Sequence, residues 1–231
     1  MTAPVLCWDI DGTLLSTARA GVFALESAAL AVTGRPLDLQ QLPTAGLTDV
    51  EIARLVLERN GVTPTADHQR QFLTRYEDDL PASLPRRQGQ VMPGVVAILE
   101  ALRVRPDWGS MLLTGNTRRG AQAKLTHYGL AGYFLSGAFS DDTRDRAEIA
   151  AKALRLIRAE RPGHPANRVV VIGDTPHDVA CARAIGARCL AVATGGYPSS
   201  ALEQTGADRV VAQLPAPEAF WGMIEEICSR G

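Results

Sequence analysis

Four short stretches of this chain carry residue types that suit phosphate or metal chemistry. Asp9 and Asp11, two residues apart, end an apolar run and are followed at once by Gly12 and Thr13. Thr114, Gly115 and Asn116 end a second run, MLLTGN. A third stretch, DDTRDR, supplies Asp141, Asp142, Arg144 and Arg146. The fourth run, RVVVI, leads into Gly173-Asp174-Thr175-Pro176-His177-Asp178. Carboxylates are rarely buried unless paired or bound to metal. Several at one place repel each other and raise one another's pKa. A hard divalent cation relieves that repulsion, and carboxylate oxygens without sulfur ligands favour Mg²⁺.

These stretches need a scaffold that delivers them to one edge. Residues 4–9, 111–114, 133–139, 168–172, 189–193 and 209–214 read as strands. They are apolar throughout, not alternating, which fits a parallel sheet covered on both faces. Helical patterns lie between them at 119–128, 146–159 and 178–185, with Gly129 and Gly186 placed as helix stops. The pattern predicts an α/β fold, an open, Rossmann-like parallel sheet with right-handed crossovers. Ligands bind at the carboxyl ends of such strands, which is where all four stretches fall.

One connection is too long. Residues 15–110 separate the first two strands, whereas a crossover needs a dozen residues or so plus its helix. Residues 93–104, opening at Pro93, supply that helix. Residues 16–90 then form an inserted helical cap, with helices at 17–33, 48–60 and 65–79. The division is thus 1–15 and 91–231 for the core and 16–90 for the cap. Thr48 and Glu51 make a capping box, and Gly61 a stop. Pro81, Pro85, Arg86, Arg87, Gln88 and Gly89 read as a polar hinge.

DIDGTL (9–14), LLTGN (112–116) and VVVIGDTPHD (169–178) resemble three of the four motifs of the haloacid dehalogenase superfamily, in its capped phosphatase branch. The resemblance spans the whole chain. It implies an aspartyl-phosphate mechanism with Asp9 as nucleophile. It makes Asp11 the general acid for the leaving alcohol and then the base for water. Two strand residues are about 7 Å apart along the axis, so neither deprotonates the other, but both can flank one phosphate once the chain turns at Gly12. By the same resemblance Mg²⁺ is held by the Asp9 carboxylate, the Asp11 carbonyl and Asp174, with Asp178 supporting. Thr114 and the N–H groups of Gly115 and Asn116 hold phosphate oxygens, with Gly12 and Thr13 in the same loop.

The third motif departs from the family pattern, where a Lys is usual. Arg146 is preferred over Lys152, because it falls near the expected helix start and can hold phosphate bidentately. Lys152 lies mid-helix. Plainer roles stand beside these. Thr175 and Asp178 suit the cap and first turn of a helix. Thr48 and Asp49 face either substrate or only their own helix. Arg146 can be a solvated helix residue.

The remaining composition narrows the class. The chain has 231 residues, 46% of them hydrophobic, with 24 basic and 25 acidic side chains. Near-neutral charge argues against a nucleic-acid partner. No stretch approaches the roughly 18–20 apolar residues of a membrane span, and the start lacks a secretory pattern. Cys7, Cys181, Cys189 and Cys228 form no CxxC pair, which suits a reducing, cytoplasmic setting. The expectation is a phosphatase for a small phosphorylated metabolite, phosphoglycolate-phosphatase-like, as monomer or homodimer. A sugar phosphomutase of the same superfamily is the in-family alternative, and a non-catalytic phospho-accepting module the other. Asp11 and Asp174 disfavour dehalogenation, which needs neither a proton donor nor a metal. Phosphonate cleavage needs a cap Lys, and residues 16–90 contain none.

Overall fold

The computed structural model describes residues 2–40 and 42–229. Six parallel strands form the central sheet: β1 (Val5–Trp8), β4 (Gly109–Leu113), β5 (Gly137–Ala138), β6 (Val169–Gly173), β7 (Arg188–Val192) and β8 (Arg209–Val211). Their order is β5-β4-β1-β6-β7-β8. β1 lies between β4 and β6, with Trp8 opposite both Leu112 and Ile172. The order reverses at β1, so the first and fourth motifs stand side by side at the centre of one edge.

Strand pleat sorts the side chains into two cores. Leu6 and Trp8 enter one cluster, with Ile98 of α4 (Val95–Leu102), Leu125 of α5 (Arg118–His127) and Phe220 of the helix Pro217–Ser229. Val5 and Cys7 enter the other, with Ile149 of α6 (Arg146–Glu160) and Val179 of α7 (Pro176–Ala184). Successive strand residues point to opposite faces, so a run buried on both sides must be apolar at every position. Trp8 stacks on Phe220 at 6.0 Å and donates its indole N–H to Ser110 Oγ at 3.1 Å. All four cysteines are buried and free.

A third cluster gathers α1 (Gly21–Thr33), α2 (Asp49–Arg59) and α3 (Ala66–Ser83), with Phe72, Tyr76 and Leu80 at its centre. The chain enters and leaves this helical segment through two short antiparallel strands, β2 (Leu15–Ser16) and β3 (Gln90–Val91). Ala18 and Arg19 follow β2 with φ of 49° and 65°.

Several elements differ from their sequence expectation. The third strand shrinks from 133–139 to Gly137–Ala138. It is an edge strand beside β4 alone, so little of it is held by pairing. The crossover helix begins at Val95 and not at Pro93, because Gly94 adopts φ 82° and its Cβ position lies 2.7 Å from Leu214 O. Pro81 is inside α3 and not in a hinge. The helix continues past it because Leu80 and Leu84 are both fully buried, which outweighs one lost helical hydrogen bond. Among the described residues no helix is long and apolar enough to cross a membrane.

Candidate active site

Asp9 follows β1 directly, with its N–H on Ile172 O at 2.9 Å. Asp174 follows β6 and accepts from Thr13 Oγ1 at 3.2 Å. Asp178 lies in the first turn of α7. Carboxylate oxygens of Asp9, Asp174 and Asp178, all three residues buried, lie within 4.8 Å of one another. Glycines make this closeness possible. A Cβ on Gly12, at φ 85°, would sit 2.3 Å from Asp174 Oδ2; on Gly195, 1.6 Å from the same atom.

Crowding acids in a buried place costs free energy, and the protons show it. Burial pushes the Asp9 carboxyl up to about 7; the Asp178 charge adds to the rise and Arg146 opposes it. Burial raises Asp174 to about 8, with Asp9 and Asp178 adding to the rise. The donors are oxygens only and share one small volume, so the set fits a hard divalent cation such as Mg²⁺.

Two cations border the acids. Arg146 opens α6, where Asp145 caps the helix by accepting from Ala147 N at 2.8 Å. Its Nη2 lies 2.5 Å from Asp178 Oδ1 and its Nη1 donates to Gly46 O at 3.2 Å. Its Nε is buried without a hydrogen-bond partner. Asp178 Oδ2 accepts from Thr175 N at 3.0 Å and Thr175 Oγ1 at 2.7 Å. Asp178 therefore does cap its helix, and it also joins the acid cluster. Lys152 is elsewhere, in a solvent-exposed pair with Asp142 at 3.2 Å.

The second cation, Lys124, is not singled out by the sequence reading. It lies on the buried face of α5 with Gly120, Ala121 and Leu125. Its ammonium donates to Asp11 Oδ2 and Asn116 Oδ1, both at 2.6 Å. Burial works against its charge, but Asp11, Tyr76 and Asp49 more than compensate and raise its pKa. The Asp11 carboxylate is turned to this pair and lies outside the three-acid group. The one sequence signal was a Lys at helical spacing among apolar residues, where a solvated side chain does not belong.

Thr114 follows β4 directly, and its Oγ1 accepts from Asn116 N at 3.3 Å and Nδ2 at 2.8 Å. Gly115 must be bare: a Cβ there would lie 2.9 Å from Leu47 O and 3.1 Å from Arg146 Nη1. Residues of α2 clasp this loop. Asp49 N donates to Gly115 O and Asp49 Oδ2 accepts from Thr117 N, both at 2.8 Å. Thr48 caps α2 by accepting from Glu51 N at 3.1 Å. The expected reciprocal bond is replaced, since Glu51 pairs with Arg54 at 2.6 Å. A cavity of about 420 Å³ opens over the acids, walled by Asp9, Asp11, Thr114, Asn116, Lys124, Arg146 and Asp174 on the core side and by residues 44–47, Asp49 and Tyr76 on the side of the helical segment.

The family model for haloacid dehalogenase-like hydrolases matches residues 6–183. The chain belongs to the haloacid dehalogenase-like hydrolase family. It resembles the phosphoglycolate phosphatase of Agrobacterium fabrum, 27% identical over 99% of this chain and 96% of that protein. A phosphoglycolate phosphatase of Rhodobacter capsulatus is also 27% identical, over 87% of this chain and 89% of its own length. A crystal structure of a hydrolase from Pseudomonas syringae shares the fold, with a TM-score of 0.69, 24% identity, and coverage of 98% and 100%.

Proposed function

We propose that this phosphatase hydrolyses a small phosphomonoester, phosphoglycolate-like in size and charge, through a phosphoryl group carried on Asp9. The observation that carries the reading is convergence: Asp9, Thr114, Arg146 and Asp174, from four segments remote in sequence, line one cavity, and Asp178 joins the two aspartates in the acid cluster beside it. A cavity of about 420 Å³ suits a metabolite, not a polymer. Asp9, Asp174, Asp178 and the Asp11 carbonyl would hold Mg²⁺, which when bound supplies charge neutralisation for phosphoryl transfer.

The chain's own groups then have distinct work. Asp9 attacks phosphorus as an ionised carboxylate. Arg146, kept charged by Asp178 and Asp9 against the cost of burial, lines the cavity and offers its guanidinium charge to a phosphoryl oxygen. Thr114 and the Gly115 and Asn116 N–H groups orient the remaining oxygens. Asp11 protonates the departing alcohol and later accepts a proton from the attacking water. Residues 16–90 act as a cap, joined through β2 and β3, that excludes water from the site. Free buried thiols agree with a cytoplasmic setting.

The test is hydrolysis of p-nitrophenyl phosphate and of phosphoglycolate with and without Mg²⁺, with Asp9→Asn as control. Mg²⁺-dependent release of phosphate by the native chain is expected, and a fall of at least about 10³-fold in kcat for the variant. Substantial Mg²⁺-dependent turnover by Asp9→Asn would overturn the nucleophile assignment. Isomerisation of a sugar phosphate without phosphate release would make the protein a phosphomutase instead.

A further inference from the structure

We propose that Lys124 is a positioning residue for proton transfer: with Asn116 it anchors one oxygen of Asp11 and leaves the other to meet the ester oxygen. The inference rests on the reading of Asp11 as proton donor given above. Lys124 is only 6% exposed. A buried ammonium is costly unless every donor direction is used well. Here it is spent on two acceptors, Asp11 Oδ2 and Asn116 Oδ1, each at 2.6 Å. Asn116 closes the triangle, since its Nδ2 donates to the same Asp11 Oδ2 at 2.8 Å. Both donors therefore fall on Oδ2. Among the described residues no hydrogen bond reaches Oδ1, and the Asp11 side chain is 43% exposed beside the cavity it shares with Asp9.

Asp11 follows a strand end and turns into Gly12, so nothing in its own backbone holds its carboxylate still. Lys124 supplies that constraint from α5, whose start is fixed by Thr117 accepting from Gly120 N at 3.1 Å. In the first half-reaction the proton on Asp11 Oδ1 passes to the ester oxygen. The ester P–O bond breaks as the bond to Asp9 forms, and Asp11 is left as a carboxylate. In the second, water gives its proton to Oδ1 while its oxygen bonds to phosphorus and the bond to Asp9 breaks. Oδ2 stays on Lys124 throughout. A tether of this kind matters in proportion to the leaving group's need for a proton.

The experiment compares two probes. p-Nitrophenolate departs without a proton, whereas the alkoxide of n-propyl phosphate needs one. Lys124→Met is expected to lower kcat on n-propyl phosphate about 10-fold or more beyond its effect on p-nitrophenyl phosphate. KM should change little, and Lys124→Arg should recover part of the loss. Equal losses on both probes would show a merely structural role and overturn the inference; so would a loss confined to KM, which would make Lys124 a substrate-binding group. If Lys124→Met melts below assay temperature, Lys124→Gln gives the same ratio. Failure of the underlying reading looks different: native protein inactive on both probes, or Asp11→Asn retaining n-propyl phosphate hydrolysis.

Discussion

Arg146 and Asp178 hold each other in place, and neither can be changed alone. The Asp178 side chain is 1% exposed and its partner 12%. Removing the guanidinium leaves a buried carboxylate short of one partner, a loss on the order of 3 kcal/mol for a pair of this kind. It also removes the cation facing the nucleophile. Arg146→Ala should therefore lose both stability, read by denaturant melts, and at least about 100-fold in kcat, read on p-nitrophenyl phosphate. Lys152→Ala breaks only an exposed pair and should stay within about 0.5 kcal/mol of the native protein with near-native turnover. The reverse ranking would move the third-motif cation to Lys152.

At the scale of elements, the joint between α2 and the loop after β4 is the informative one. Its centre is Asp49, buried against Lys124 and Thr117 from the α5 side, Tyr76 and Glu77 from α3, and Asp11 from the core. Burial pushes the Asp49 carboxyl up to about 6 from 3.8, with Lys124 and the Thr117 hydrogen bond pulling the other way. The folded state thus binds this proton more tightly than the unfolded state. Its contribution to stability is complete below about pH 4 and is lost as pH rises through 6. Asn at this position still accepts from Thr117 N but cannot ionise. Metal-free Asp49→Asn should lose less stability between pH 4 and 7 than the native chain, by an amount on the order of 1–3 kcal/mol. Parallel Tm-versus-pH curves for the two proteins would contradict this.

For the whole molecule, the helical segment sits close enough over the sheet edge that single atoms matter. Gly115 has room for no side chain beneath Leu47 O, and Gly46 O accepts from Arg146. Gly115→Ala should push residues 46–48 away from the phosphate loop and lower kcat/KM by about 10- to 100-fold, a loss larger than its effect on Tm implies. Steady-state kinetics beside a thermal melt decides this. The rim pairs of Arg119 with Glu77 and Asp78, at 3.0 and 2.7 Å, share an Arg119 side chain that is 58% exposed and should matter little: Arg119→Ala is expected to shift stability by less than about 1 kcal/mol.

Spacing along the chain was enough to place Asp9, Asp11, Thr114 and Asp174 at strand ends, because a strand buried on both faces writes itself as an unbroken apolar run and its end as the first polar residue after it. Helical spacing, with Gly129 and Gly186 as stops for two of them, made α5, α6 and α7 legible. Local spacing failed for the third strand, where a two-residue edge pairing leaves no local signature. It was silent about Lys124, whose partner Asp11 is 113 residues away, and about Gly195, whose bareness matters only because Asp174 lies against it. Nor does any local pattern say that Asp49 reaches Thr117 or that Arg146 pairs with Asp178. Those contacts are decided by how the helical segment and the strand ends pack together. Local sequence encodes which residues end each element; the distance between ends that are remote in sequence exists only once the tertiary structure has formed.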